Sequence, residues 1–214
     1  VEGSVLKPVL IVIAGPNGSG KTTFTPLVIE HDWSEGCLFI NPDEIAENEF
    51  GDWNSPDAVM KAAVRAQELR EQCLAERRSM LLETVCSIPE KIEFIQRAKD
   101  AGFFVRFFFI GTDTPQINAS RVVRRMLEGG HEVPLTKIIS RYSRSMANAV
   151  LALAIADRGY VYDNSIDNQN PKPLFRTKDG HVFKTYPDLK HHPWGKMVYE
   201  EVNGLAGDIG RAGE

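Results

Sequence analysis

Cysteine is scarce in this chain. Cys37, Cys73 and Cys86 are three thiols in 214 residues, an odd number without metal-ligand spacing, which argues against both a disulfide framework and a zinc centre. They read as reduced, buried small hydrophobes of a cytosolic protein. Charge of one sign is also lacking: a formal net charge of −4 with 25% charged residues gives no general affinity for nucleic acid or for acidic membranes. No extended basic stretch interleaved with aromatics is present to hold a polynucleotide strand. Long hydrophobic runs are missing as well, and Val1 to Pro8 lacks the pattern of a signal peptide, so the expected location is the cytoplasm. Neither an internal repeat nor a low-complexity tract interrupts the chain. What remains, 43% hydrophobic residues over 214 positions, is enough for one domain with a substantial core.

Apolar runs and helical patterns alternate along it. Val9 to Ala14, Cys37 to Ile40, Met80 to Leu82, Phe104 to Ile110 and Tyr160 to Tyr162 read as strands. Ser55-Pro56 offers an N-cap and a first-turn proline, and Val59, Ala62, Ala63, Ala66, Leu69, Cys73 and Leu74 then recur at helical spacing. Ser87 to Ala101 repeats the pattern up to Gly102. Thr114-Pro115 begins a helix toward Leu127 that Gly129-Gly130 stops, and Leu135 to Asp157 makes a longer one. The alternation predicts an α/β fold with parallel strands joined by crossover helices. Beyond Asp163-Asn164-Ser165 the texture turns to Pro, Asn, Asp and Gly, and Leu174 to Lys178 with His181 to Lys184 predict a small C-terminal hairpin around Asp179-Gly180.

One stretch is far more specific than the rest. Gly15-Pro16-Asn17-Gly18-Ser19-Gly20-Lys21-Thr22, followed by Thr23, fills every fixed position of the phosphate-binding loop G-x-x-x-x-G-K-[ST] and stands directly after a strand. Its glycines let backbone N–H groups turn inward around phosphate, and the helix that follows adds its positive end. Lys21 is placed to reach the β- and γ-phosphates of ATP or GTP, and the Thr22 hydroxyl to ligate Mg²⁺.

The acceptor side must come from the ends of neighbouring strands, where ligands gather in open α/β sheets. Asn41-Pro42-Asp43-Glu44 follows one such end, and a carboxylate there would position an attacking hydroxyl and take its proton. Asp43 is the candidate base; the competing use of this segment is to cap a short helix. Glu83-Thr84, after Leu82, would contact substrate or a magnesium-bound water, or form an exposed strand end. Arg121, Arg125, Arg141 and Arg144 flank Gly129-Gly130-His131-Glu132-Val133-Pro134. Two converging arginine pairs would make a mobile phosphate clamp, whereas a charge cluster is often a solvated surface. His131 binds substrate or occupies the turn.

The ordered set of motifs resembles the zeta toxin family of P-loop kinases, in particular its short members. It comprises the phosphate loop through Phe24, Asn41 to Ala46, Glu83-Thr84, Gly129 to Pro134, Arg141-Tyr142 and Tyr162 to Ser165, and covers roughly residues 8–165. The resemblance implies a P-loop kinase domain over 8–165 with an arginine-bearing lid at about 114–145, and a C-terminal extension, 166–214, packed on it. It further implies ATP or GTP and Mg²⁺ as cofactors, a small-molecule acceptor, and a hydroxyl of that acceptor as the site of phosphorylation. Family members phosphorylate the sugar 3′-hydroxyl of UDP-N-acetylglucosamine and are held in check by an antitoxin protein over the nucleotide site. Carried over by position, Lys21 and Thr22 match the nucleotide and magnesium residues, Asp43 the base, Glu83 an acidic substrate residue, and Asn164 a contact beside the nucleotide base. In long members two essential arginines flank a proline-containing segment; here the downstream position holds His131, with Arg141 and Arg144 further on.

Overall fold

The computed structural model describes residues 7–51, 55–128 and 133–212. Its strands are β1 (Val9–Ala14), β2 (Leu38–Ile40), β3 (Met80–Thr84), β4 (Phe104–Gly111), β5 (Arg158–Asp163), β6 (Lys172–Lys178) and β7 (His181–Thr185). The helices are α1 (Lys21–Ile29), α2 (Pro42–Phe50), α3 (Pro56–Ala75), α4 (Pro89–Asp100), α5 (Pro115–Leu127), α6 (Leu135–Ile155) and α7 (Pro193–Ala212). Proline opens α2, α3, α4, α5 and α7, where its missing N–H costs nothing and its fixed φ suits the first turn. Side chains of Asn41 and Ser55 cap α2 and α3 by accepting from Asp43 N and Ala58 N.

Among the described residues the strands form one sheet in the order β2-β3-β1-β4-β5-β6-β7. The first five run parallel, and β6 and β7 are antiparallel. This is the expected α/β arrangement, with the phosphate loop leaving β1, the middle one of the five parallel strands. Along β1 the side chains alternate: Leu10, Val12 and Ala14 join the larger core beneath α4, α6 and α7, while Ile11 and Ile13 join a smaller one beneath α1. α5 and the first turns of α6 bring Arg121, Arg125, Lys137 and Arg141 to a shared cavity, while the rest of α6 packs into the larger core.

Several boundaries differ from those the sequence suggests. β3 continues two residues past Leu82 because Glu83 and Thr84 pair with Ile13 and Ala14, so both belong to the strand itself. α6 ends at Ile155 rather than Asp157, whose carboxylate instead accepts from Val105 N at 2.8 Å and Lys99 Nζ at 2.6 Å. The C-terminal hairpin extends the sheet through β5, and α7 follows it, burying Trp194, Val198 and Val202 at intervals of four residues. Among the described residues no helix is long and apolar enough to cross a membrane.

Candidate active site

A cavity of about 670 Å³ opens where β1, β2 and β3 end, between the phosphate loop and residues of α5 and α6. The phosphate loop forms its floor. Gly18 and Gly20 take φ of +75° and +92°, and a Cβ on Gly18 would stand 2.5 Å from the Asn118 carbonyl oxygen, so glycine is required there by both torsion and space. Neighbouring side chains hold the loop open: Asn118 Nδ2 donates to Asn17 O at 2.7 Å and Asn164 Nδ2 to Ser19 O at 2.8 Å. The buried Ser19 hydroxyl has no partner among the described residues.

Lys21 donates its ammonium to the carbonyls of Gly15 and Pro16, at 2.9 and 3.1 Å. Burial lowers its pKa to about 8, with Glu83 and Asp43 opposing that shift and Arg125 adding to it. A crowded cation with only carbonyl partners is what an incoming phosphate would neutralise. The Thr22 hydroxyl donates to Glu83 Oε1 at 2.8 Å and Thr25 Oγ1 to Glu83 Oε2 at 2.9 Å. A hydroxyl and a carboxylate side by side at the phosphate loop are the hard oxygen donors that Mg²⁺ takes together with nucleotide phosphates, so the residues fit the ion. Glu83 is thus drawn toward the nucleotide side of the cavity. Thr84 lines the same wall but spends its groups on the turn, its hydroxyl accepting from Cys86 N at 3.1 Å and its carbonyl from Gly15 N at 3.3 Å.

Asp43 lines the same cavity. The cap of α2 is made by Asn41 Oδ1, 3.0 Å from Asp43 N, so the Asp43 carboxylate is spared that task and has no hydrogen-bond partner among the described residues. Glu44 does not line the cavity. Burial, then the charges of Glu83, Glu47 and Asp43, push its carboxyl up.

Of the two expected arginine pairs, Arg121, Arg125 and Arg141 line the cavity and Arg144 does not. Arg125 and Arg141 line the cavity, and Arg141 Nη1 reaches Asn17 Oδ1 at 3.5 Å. Arg121 lines it too, held by Nε donating to Asp167 Oδ1 at 2.7 Å and Nη1 to Asn164 O at 2.8 Å. Arg144 turns back onto Ser140 O at 3.1 Å and lies outside the cavity. Three residues along a helix rotate a side chain about 60° short of a full turn, which carries Arg144 away from the face of Arg141. His131, with the glycines before it, lies outside the described residues. α6 is nonetheless a firm support for Arg141. From its next turns Ser145 Oγ donates to Val85 O at 2.6 Å and Asn148 Nδ2 to Cys86 O at 2.9 Å.

Sequence reasoning missed Arg70, Lys91 and Lys137, which also line the cavity. Lys91 carried a signal: a lysine in the first turn of α4 opposes the helix dipole, a local inconsistency of the kind found at functional sites.

An uncharacterised protein of Haemophilus influenzae is 28% identical over 138 residues, covering 64% of this chain and 95% of its own length. The crystal structure of AvrRxo1-ORF1 with ORF2 and ATP superposes with a TM-score of 0.64 at 16% identity, over 92% of this chain; the match spans under two thirds of that protein, 64%. The toxin–antitoxin system PezAT of Streptococcus pneumoniae gives a TM-score of 0.57 at 16% identity, over 95% of this chain and 89% of that one. At such identities these structures establish the fold. A sequence model described as Zeta toxin matches residues 2–170. Because that span holds every residue of the cavity wall and most of the sequence, this chain belongs to the zeta toxin family.

Proposed function

We propose that the protein is an ATP-dependent kinase that moves the γ-phosphate to a hydroxyl of a small molecule, UDP-N-acetylglucosamine or a related sugar nucleotide. The observation that carries the reading is the freedom of Asp43: relieved of capping by Asn41, its carboxylate faces the cavity that also holds Lys21. A nucleotide switch has no use for such a base. In the proposed step Asp43 takes the proton of the acceptor hydroxyl while that oxygen attacks the γ-phosphorus. The bond from the γ-phosphorus to the β-bridging oxygen breaks, and ADP leaves. Lys21 holds the β- and γ-oxygens; Arg125 and Arg141 meet the charge that spreads over the transferring group. Thr22 and Glu83 would hold Mg²⁺, which offsets phosphate charge when bound. An antitoxin that covers the nucleotide site is the partner this family membership suggests.

The test is direct. With ATP and Mg²⁺ the protein is expected to add one phosphate to UDP-N-acetylglucosamine, read by mass spectrometry. Asp43→Asn is expected to keep ATP affinity and lose about 10²- to 10⁴-fold in kcat, the usual effect of removing a general base. Loss of ATP binding in that variant would move Asp43 into the nucleotide site. Phosphate gained only by other metabolites of a cell extract would replace the acceptor and leave the kinase standing.

A further inference from the structure

The smaller core is served by one helix. Phe24 and Val28 of α1 pack there against β1, β3 and β4, whereas α4, α6 and α7 all serve the other face of the sheet. Toward β5, β6 and β7 the side chains on the α1 face are half-buried or exposed, and strand pairing sets their order. One cross-strand row reads Arg106, Arg158, Lys178 and His181 on β4, β5, β6 and β7; the next reads Phe108, Tyr160, Arg176 and Lys184. Residues opposite one another in a sheet share a face, so the two rows are neighbours. Cations and rings interleave across them. Arg106 lies over Trp33 at 4.7 Å and over Phe104 at 5.1 Å, Arg176 over Tyr160 at 5.4 Å and over Tyr186 at 5.6 Å, and Lys184 over Tyr186 at 5.0 Å.

The positive charge of this face is not balanced. Among the described residues Arg106, Arg176, Lys178 and Lys184 have no ion pair, and Arg158 has a long one, 4.0 Å to Asp179. The Nε atoms of Arg106 and Arg176 are buried and lack a hydrogen-bond partner. Like charges directly opposite one another oppose strand pairing, so the first row weakens the sheet that holds it, in a chain whose net charge of −4 leaves carboxylates to spare. A lysine on an edge strand guards against self-association, which accounts for Lys184 on β7 but not for Arg106 and Arg158 on interior strands.

We propose that this face is the docking surface for an acidic segment of another protein. Carboxylates of the segment meet the row of Arg106, Arg158 and Lys178, and its apolar atoms meet the rings and Phe183, which has no partner in the pairing of β6 with β7 and is 57% exposed. Tryptophan, tyrosine and arginine carry most of the binding energy at protein interfaces, and here they are fixed against one another before a partner arrives. A single nucleic-acid strand needs bare ring faces on which its bases stack. The Trp33 ring is already met by His31, Phe108 and Arg106, and the Tyr160 ring by Phe108 and Arg176. A second copy of this chain, docking by the same face, would bring like charge against like. None of these residues lines the cavity, so the docking surface is separate from the phosphate loop and does not depend on the reaction.

The test uses the intact protein and two probes. A fluorescein-labelled peptide alternating Glu and Val is titrated at low salt, in parallel with a single-stranded oligothymidylate of equal charge, while amide resonances are followed. The peptide is expected to bind, more tightly than the oligonucleotide, and to shift resonances of Arg176, Lys178 and Lys184. Lys178→Glu combined with Lys184→Glu, two exposed positions where charge reversal leaves the fold intact, is expected to weaken the peptide about tenfold or more and to leave ATP affinity unchanged. Absence of peptide binding, shifts confined to other surfaces, or wild-type affinity in the folded double variant overturns the proposal. Tighter binding of the oligothymidylate also overturns it, and reassigns the face to nucleic acid.

Discussion

Lys21 illustrates how a single side chain is shaped by its surroundings. Its place was legible from the phosphate-loop pattern, but its electrostatics were not, because they depend on burial and on Glu83, Asp43 and Arg125, which come from other elements. With a pKa near 8 in the free protein, Lys21 loses its charge as the pH rises through that value. Bound phosphates favour the charged form and raise the pKa, so nucleotide binding takes up a proton above about pH 8 and none well below it. ATP affinity is therefore expected to be flat below pH 7 and to fall above pH 8, by as much as about tenfold per pH unit. Calorimetry in buffers of different ionisation enthalpy measures the uptake, and Lys21→Arg, charged throughout, is expected to abolish it. An unchanged uptake in that variant would assign the proton to another group. For Asp43 the residue type and its place after β2 were readable. Only the structure gives the division of labour in which Asn41 caps and Asp43 does not.

At the scale of elements, helical periodicity located α3, α4, α5 and α6, since each buries an apolar stripe and begins with a proline or just after one. Periodicity could not say which arginine of a pair faces the cavity. Arg121, Arg125 and Arg141 all line the cavity, but Asp167 and the Asn164 carbonyl hold Arg121, and Arg144 turns back onto Ser140 of its own helix outside it. Three distinct outcomes are expected on neutralisation. Arg141→Ala, removing a charge that in the proposed step meets the transferring group, is expected to lower kcat by about 10²-fold or more with little change in KM for ATP. Arg144→Ala, on a solvated surface, is expected to change neither by more than about twofold. Arg121→Ala frees the Asn164 segment that supports Ser19, and is expected to raise KM for ATP. Steady-state kinetics on the three variants separates them; a full loss of kcat in Arg144→Ala would require the lid to rearrange before reaction.

On the scale of the whole molecule, the segment past residue 170 supports the phosphate-loop side of the cavity without lining it. The family match ends there, yet Asp163, which accepts from Ser165 N and Oγ within it, also has partners from beyond it: Trp194 Nε1 donates to Asp163 Oδ1 at 3.0 Å, and His192 Nδ1 lies 2.9 Å from Asp113 Oδ1 and 3.3 Å from Asp163 Oδ1. α7 escaped the sequence reading because Gly195, Gly204, Gly207 and Gly210 dilute its helix propensity, and packing of Trp194, Val198 and Val202 overrides that deficit. The Trp194 ring fills the space over Gly111, where an added Cβ would stand 2.6 Å from its Cζ2, and meets Phe109 edge-on at 6.0 Å. Asp163 in turn precedes Asn164, whose amide holds Ser19 O and whose carbonyl holds Arg121. A chain of direct contacts thus runs from α7 to the phosphate loop. Trp194→Ala leaves a cavity in this core and a buried carboxylate short of a donor, and is expected to cost about 3–5 kcal/mol of stability. It is also expected to weaken ATP binding by loosening Asn164, in conditions where the variant is still fully folded. Trp194→Phe restores most of the volume but not the N–H, and should recover much of the stability while ATP affinity stays reduced. Denaturant unfolding and nucleotide titration on both variants decide the matter, and wild-type ATP affinity in folded Trp194→Ala would confine α7 to a purely structural role.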